Sequence, residues 1–307
     1  SSRRRHTRCS RDWSSDVCSS DLVRQTKVAA RRLNLVQPDE VPMEVEQVEE
    51  LAISTVLPFG VKDIDADDAA NPQLCSEYAH ETFAYLKQLE KRGSVKPEYL
   101  SGCPTSDKMR AVLVDWLVEV QIQFKLLQET LFLTVNTIDR FLAVEGKDVH
   151  RSRLQLVGVA AMFLISKIEE VYAPAVSDFV YITDNAYTEA EIRHMELKII
   201  RALDFDLCQP ISLNFLRRYS KAGDVDVLQH SLAKYTLEVC LLDYNLVHIP
   251  GSLLASSSLC MSLLVLDPST SIDTVWTPTL EFYSGYTAED VLDVVTKLAT
   301  NMVKMNR

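Results

Sequence analysis

Two apolar stretches about 95 residues apart constrain this chain more than anything else in it. Leu156 to Ile165 reads LVGVAAMFLI, and Leu253 to Leu264 reads LLASSSLCMSLL. Each is the third helical signal of a set of five, and each is rich in small residues: Gly158, Ala160, Ala161 and Ser166 in the first, Ala255, Ser256, Ser257, Ser258 and Ser262 in the second. A helix apolar on every side must be surrounded by other helices, and small side chains let their backbones approach. The first run is about half the ~20 residues that span a bilayer, and Lys167, Glu169 and Glu170 follow directly, so it reads as a buried core helix.

The rest of the chain agrees with two copies of a five-helix bundle. Helical spacing predicts helices near 107–125, 128–143, 152–170, 175–182 and 188–203, then near 212–221, 225–243, 252–267, 278–284 and 288–305. Thr188 with Glu191 three residues on is a capping box that opens one of them. Only 8 of 307 residues are glycine, too few for arrays of tight β-turns, and little of the chain alternates as a strand would. The expected class is all-α: two consecutive five-helix boxes, 101–207 and 208–307, preceded by a helix within 71–100. In that helix Tyr78, Phe83, Leu86 and Leu89 recur on one face, and the helix closes near Gly93.

Ahead of the helices the pattern fails. Residues 1–22, rich in Ser, Arg and Asp without a hydrophobic period, resemble a cloning or adaptor-derived segment rather than natural protein. Residues 23–70 begin basic at Arg24, Lys27, Arg31 and Arg32 and turn acidic after Glu44, which predicts a disordered tail. The last helix runs to the end of the chain without a stop signal, an expectation of truncation there.

Charge and motif content exclude several functions. The net charge of −11 is the wrong sign for a surface that neutralises nucleic-acid phosphate or an anionic membrane. No GxGxxG, GxxxxGK[ST], GxSxG or HExxH occurs, and the six histidines are scattered, so no cofactor, metal or catalytic group is expected. Glu169-Glu170 reads as a solvated face. Seven cysteines without a CxxC pair suit a reducing compartment, the cytoplasm or nucleus.

The segment Met109 to Val120, MRAVLVDWLVEV, is apolar on too many sides for one core seam. Met109, Leu113 and Trp116 form a second stripe, which is either a contact with a second neighbouring helix or an exposed groove. With LLQETLFLTVNTIDRFL (126–142), LQLVGVAAMFLISKIEE (154–170) and DFVYITDNAYTEAEIRHME (178–196), this segment resembles the cyclins. The resemblance runs from about Asn71 to the end of the chain, through both boxes. LCSEY (74–78), LNFLRRYSKAGDVDVLQHSLAKY (213–235) and LLDYNLVHIP (241–250) are similar to the G2/mitotic B type, nearer B2 than B3. A transcription factor on the same double fold would need a basic surface, and an α-solenoid would show shorter, more uniform repeats.

The resemblance implies a non-enzymatic partner that binds and activates a mitotic cyclin-dependent serine/threonine kinase as a heterodimer. It implies kinase contact through the polar pair Lys167 and Glu196 and an apolar surround of Phe163, Leu164, Ile182, Ile192 and Phe205, with Tyr181 beside them. Core packing is the competing reading for Phe163 and Leu164. It also implies a groove for Arg-x-Leu substrates or inhibitors, with Met109, Leu113 and Trp116 taking the leucine, Glu119 the arginine and Gln155 the peptide backbone, and with Arg151 nearby. Mitotic cyclins reach the ubiquitin-ligase machinery through an N-terminal RxxLxxxxN box. Here Arg32 to Leu35 supplies only RxxL, so that region is expected to be largely missing.

Overall fold

A computed structural model describes residues 57–305, and every regular element among them is helical. Helix α1 (Ser76–Arg92) is followed by a first box of α2 (Asp107–Phe124), α3 (Gln128–Glu145), α4 (Leu154–Glu169), α5 (Val176–Ile182) and α6 (Glu189–Ala202). The second box comprises α7 (Ser212–Ala222), α8 (Val227–Leu242), α9 (Gly251–Leu266), the single turn α10 (Ile272–Val275), α11 (Pro278–Ser284) and α12 (Ala288–Met305). The turn α10 is too short to carry a readable period, which is why pattern alone passes over it. The segment 1–22 and the Arg32 to Leu35 match lie outside the described residues.

The two small-residue helices are the axes of their boxes. Every residue from Leu156 to Ser166 of α4 is buried, and α4 packs against α2, α3, α5 and α6. A Cβ on Gly158 would come within 2.7 Å of Leu113 Cδ1, so the missing side chain is what seats α2 on α4. In α9, Ala255 to Ser262 is buried against α7, α8 and α12. Its serines remain compatible with burial by bonding back along the helix, as Ser256 Oγ does to the Ser252 carbonyl (3.0 Å) and Ser257 Oγ to the Leu253 carbonyl (2.8 Å).

Arg110 joins the boxes. Its side chain is 1% exposed and lies on the inner face of α2 with Leu113, Val114 and Leu117. Nε and Nη2 donate to the two carboxylate oxygens of Asp139 on α3 at 2.7 and 2.6 Å, and Nη1 donates to the Leu241 carbonyl at the end of α8 (2.8 Å). Tyr99 adds its hydroxyl to the same carboxylate (2.6 Å), and its ring packs on that of Tyr244. Burial, and then the Asp139 charge, push the Tyr99 hydroxyl well above its ordinary pKa, while Asp139 keeps the buried guanidinium ionised.

The tail expected to be disordered up to residue 70 is ordered in its described part. Ile64 is buried, its amide donates to Tyr283 Oη (3.3 Å), and the Lys62 amide donates to Thr279 Oγ1 (3.1 Å). Asp65 receives both guanidinium nitrogens of Arg218, which is itself held between the rings of Phe83 and Tyr283. One apolar residue, Ile64, and two carboxylates, Asp65 and Asp68, the latter paired with Lys221, anchor this strap, too little to register as a period. On α1, Phe83 and Leu86 face the core as expected, whereas Tyr78 stands exposed.

Two outcomes follow from these contacts. Asp139→Ala leaves Arg110 buried without a counter-charge and is expected to cost about 3 to 5 kcal/mol in urea unfolding, with Arg110→Met/Asp139→Leu costing less than the single change. Burial alone would raise the Asp65 carboxyl pKa, but bonds and charge from Arg218 and Lys221 outweigh it and hold it below its ordinary value. The strap's charge-dependent stabilisation is therefore full above about pH 4 and lost as pH falls through the lowered folded-state pKa. Asp65→Asn is expected to remove this acid dependence, read by proteolysis of the strap between pH 5 and 2.5.

Candidate functional site

The end of α4 and the middle of α6 meet through one ion pair. Lys167, in the last turn of α4, reaches the Glu196 carboxylate on α6 while its ammonium lies 4.2 Å from the centre of the Phe163 ring. Glu196 is buried, and a carboxylate there needs a partner, which Lys167 supplies while keeping 42% of its own side chain exposed. The two residues singled out as a pair are thus in direct contact at a rim, with donor capacity left on the lysine.

The apolar residues assigned around that pair divide. Phe205 and Tyr181 are each 74% exposed, and Ile182 is half-buried. Phe163 and Leu164 are nearly covered, Phe163 meeting the Phe179 ring edge-on at 5.5 Å. Ile192 is wholly buried and belongs to the core, not to a contact surface: its position on α6 turns it into the box. Periodicity missed Val171 and Tyr172, which are almost fully exposed in the turn after α4, and Ile168 and Leu197, which flank the ion pair in sequence. Turn residues carry no period, so only their apolar character in a loop could have marked them.

Exposure of Phe205 is built into the backbone. Asp204 and Phe205 both have positive φ, +50° and +61°, a conformation that costs free energy for residues with side chains. It is held from both sides. The Phe205 amide donates to the Ile200 carbonyl (3.0 Å), and Arg140 donates to both the carbonyl and the carboxylate of Asp206 at 2.6 and 2.9 Å. The Thr188–Glu191 capping box forms as expected and starts α6, and its hydrogen bonds lower the Glu191 carboxyl pKa.

Glu170 corrects the solvated-face expectation. Its Oε1 accepts from the Leu127 amide (2.7 Å) and Thr130 Oγ1 (2.6 Å), so it caps the start of α3, where Leu127 has no capping side chain of its own. The far partner in sequence hides this role. Glu169 is more ordinary, although burial and the nearby Glu129 and Glu170 charges raise its pKa.

On α2 the residues expected to form the groove differ in exposure. Leu113 is buried, locked against Gly158. Its neighbour Val112 is 71% exposed and lies on the face with half-buried Met109 and Trp116 and exposed Glu119. Gln155, half-buried, opens α4 alongside, and Arg151 is exposed in the turn before it. Among the described residues no cluster of three or more His, Cys, Asp or Glu side chains is placed to hold a metal ion.

Comparison with known proteins finds the same two boxes. The description "Cyclin, N-terminal domain" fits residues 81–208 and "Cyclin, C-terminal domain" fits 210–307. G2/mitotic-specific cyclin-B2 of Gallus gallus is 48% identical over 94% of this chain and 70% of its own length. The chain belongs to the B-type cyclins. G2/mitotic-specific cyclin-B1 of Anguilla japonica is 50% identical and that of Xenopus laevis 49%, each over 83% of this chain, with 61% and 62% of their own lengths covered. This cyclin therefore spans roughly three fifths to seven tenths of those relatives, and identity alone does not separate the B1 from the B2 branch. A solved viral cyclin from herpesvirus saimiri, 21% identical, has the same fold, with a TM-score of 0.61 over 70% of this chain and 95% of the viral one. Cyclins are regulatory subunits of kinases rather than enzymes themselves.

Proposed function

We propose that this chain binds and activates a mitotic cyclin-dependent serine/threonine kinase and so promotes the G2/M transition. The observation that carries this reading is the half-exposed Lys167–Glu196 pair, with Tyr172 and Phe205 exposed in the turns that follow α4 and α6 and Tyr181 exposed on α5. Large apolar side chains held in solvent by a rigid core favour a macromolecular partner, and a half-exposed ammonium supplies directional hydrogen bonds within the same contact. No chemistry is required of the cyclin. A kinase whose Lys–Glu pair and magnesium-binding loop are misplaced becomes active when a partner binds only the active arrangement, and the shift equals the differential affinity. Ile192 acts here by packing under the face, not by touching the kinase.

The face of α2 serves as a second surface in the same reading. Met109, Leu113 and Trp116, with exposed Val112 beside them, take the apolar residue of an Arg-x-Leu peptide, Glu119 takes the arginine, and Gln155 bonds the extended backbone. A location in both cytoplasm and nucleus completes the proposal, and ubiquitin-ligase recognition is assigned to an N-terminal region of the parent protein rather than to the RxxL at Arg32 to Leu35.

Phosphorylation of a histone-type peptide by a purified mitotic cyclin-dependent kinase tests it. The kinase alone is expected to be nearly silent and strongly activated by the full chain. Lys167→Ala/Glu196→Ala is expected to raise the concentration needed for half-activation about tenfold or more, equivalent to roughly 1.4 kcal/mol of binding. Val112→Glu is expected to leave that peptide's phosphorylation unchanged while abolishing the advantage of substrates carrying Arg-x-Leu. Full activation by a folded double variant contradicts the interface, and no activation by the wild-type chain contradicts the function.

A further inference from the structure

Two stretches of the described residues place a serine one residue beyond a pair of adjacent cations: Lys91-Arg92-Gly93-Ser94 and Arg217-Arg218-Tyr219-Ser220. Two cations just ahead of a hydroxyl complement the acidic cleft of a basophilic protein kinase, which uses them to hold the hydroxyl against its nucleotide. The same spacing in Arg4-Arg5-His6-Thr7 lies outside the described residues.

The structure separates the two serines. Arg218 is buried, bound to Asp65 and held between the rings of Phe83 and Tyr283, while Arg217 pairs with Glu129. Tyr219 is 1% exposed, and the Ser220 hydroxyl is hydrogen-bonded to His230 Nδ1. All four residues lie within α7, so presenting Ser220 to an enzyme means taking a core helix apart.

Ser94 has few such ties. Lys91, Arg92 and Ser94 are exposed, Arg92 is the last residue of α1, and Ser94 to Lys96 run on as irregular backbone. Neither Lys91 nor Arg92, nor Lys96 beyond them, forms an ion pair among the described residues. The Ser94 hydroxyl donates to the Lys91 carbonyl (2.9 Å), and the Gly93 amide donates to the Leu89 carbonyl (3.1 Å). Releasing those bonds and uncovering buried Val95 opens residues 91–96, and a helix end opens at far lower cost than a helix interior. Glu90, bound to the amide and hydroxyl of Ser252, holds the helix in place just ahead of them.

We propose that Ser94 is a phosphorylation site for a basophilic serine/threonine protein kinase. In the transfer, Ser94 Oγ bonds to the γ-phosphorus of the kinase's ATP as the bond from that phosphorus to the β–γ bridging oxygen breaks. ADP leaves, and the hydroxyl proton passes to the catalytic carboxylate of the kinase. The new phosphate has Lys91, Arg92 and Lys96 within three residues to pair with, while its charge opposes the carbonyl end of α1 and the bond to the Lys91 carbonyl is lost. Modification therefore exchanges a hydrogen bond at the helix end for charge pairs, in a segment that borders the gap between the two boxes.

The test incubates the folded full chain with ATP and the catalytic subunit of cyclic-AMP-dependent protein kinase, and maps the phosphate by mass spectrometry. A synthetic Arg-Arg-x-Ser peptide in the same tube shows that the kinase is active. Phosphate is expected on Ser94 and not on Ser220. Lys91→Gln/Arg92→Gln changes two exposed side chains and is expected to slow transfer to Ser94 at least about tenfold, the loss of a charge-assisted contact. Ser94 left unmodified while the peptide is consumed, phosphate on Ser220 in preference, transfer to Ser94 only above the unfolding transition, or an unchanged rate in the double variant overturns the proposal.

Discussion

The arrangement rests on a buried guanidinium. Moving a full charge out of water is costly, and Arg110 is compensated only by a bidentate carboxylate and a carbonyl that come from different parts of the chain. Asp139 lies on α3 in the first box and Leu241 at the end of α8 in the second, so satisfying one side chain sets the position of both boxes against α2. The same residue sets the rotation of α2. With Arg110, Leu113, Val114 and Leu117 turned inward, Met109, Val112, Trp116 and Glu119 are left on the outer side.

The face around Lys167 and Glu196 has a similar logic one layer out. Helix α4 is fixed by contacts on all sides, so its last turn holds Lys167 in place. Helix α6 brings Glu196 to it, started by the Thr188 capping box and ended by the strained pair Asp204 and Phe205. Glu170 ties the same corner to the start of α3. A partner that meets this face finds it organised beforehand, which reduces the ordering cost of association.

Much of the architecture was legible in sequence because it depends on composition along whole helices. A run such as Leu156 to Ile165 has one stable environment, the centre of a bundle, and the serine-rich α9 repeats it. The site was less legible. Lys167 and Glu196 are 29 positions apart, and periodicity cannot pair them; the family resemblance did. Leu113 and Val112 are adjacent on a helix apolar nearly all round, and only the contact with Gly158 decides which one is covered. The resemblance assigns Ile192 to the surface, and only the placement of α6 turns it into the core. Arg110 sits in an apolar helix where a lone arginine usually reaches solvent, and Glu170 sits beside another glutamate; each has its partner far along the chain. The strap around Ile64 depends on one apolar side chain and the ion pairs of Asp65 and Asp68 with Arg218 and Lys221, below the threshold of any pattern.

The central claim is that a preformed face around Lys167 and Glu196 receives the kinase. Amide hydrogen exchange of the full chain, alone and mixed with a mitotic cyclin-dependent kinase, measures this residue by residue. The account predicts added protection over residues 163–182 and 196–206, with the central part of α9 unchanged. Protection confined to α7–α12, with 163–182 exchanging as in the free chain, would contradict it.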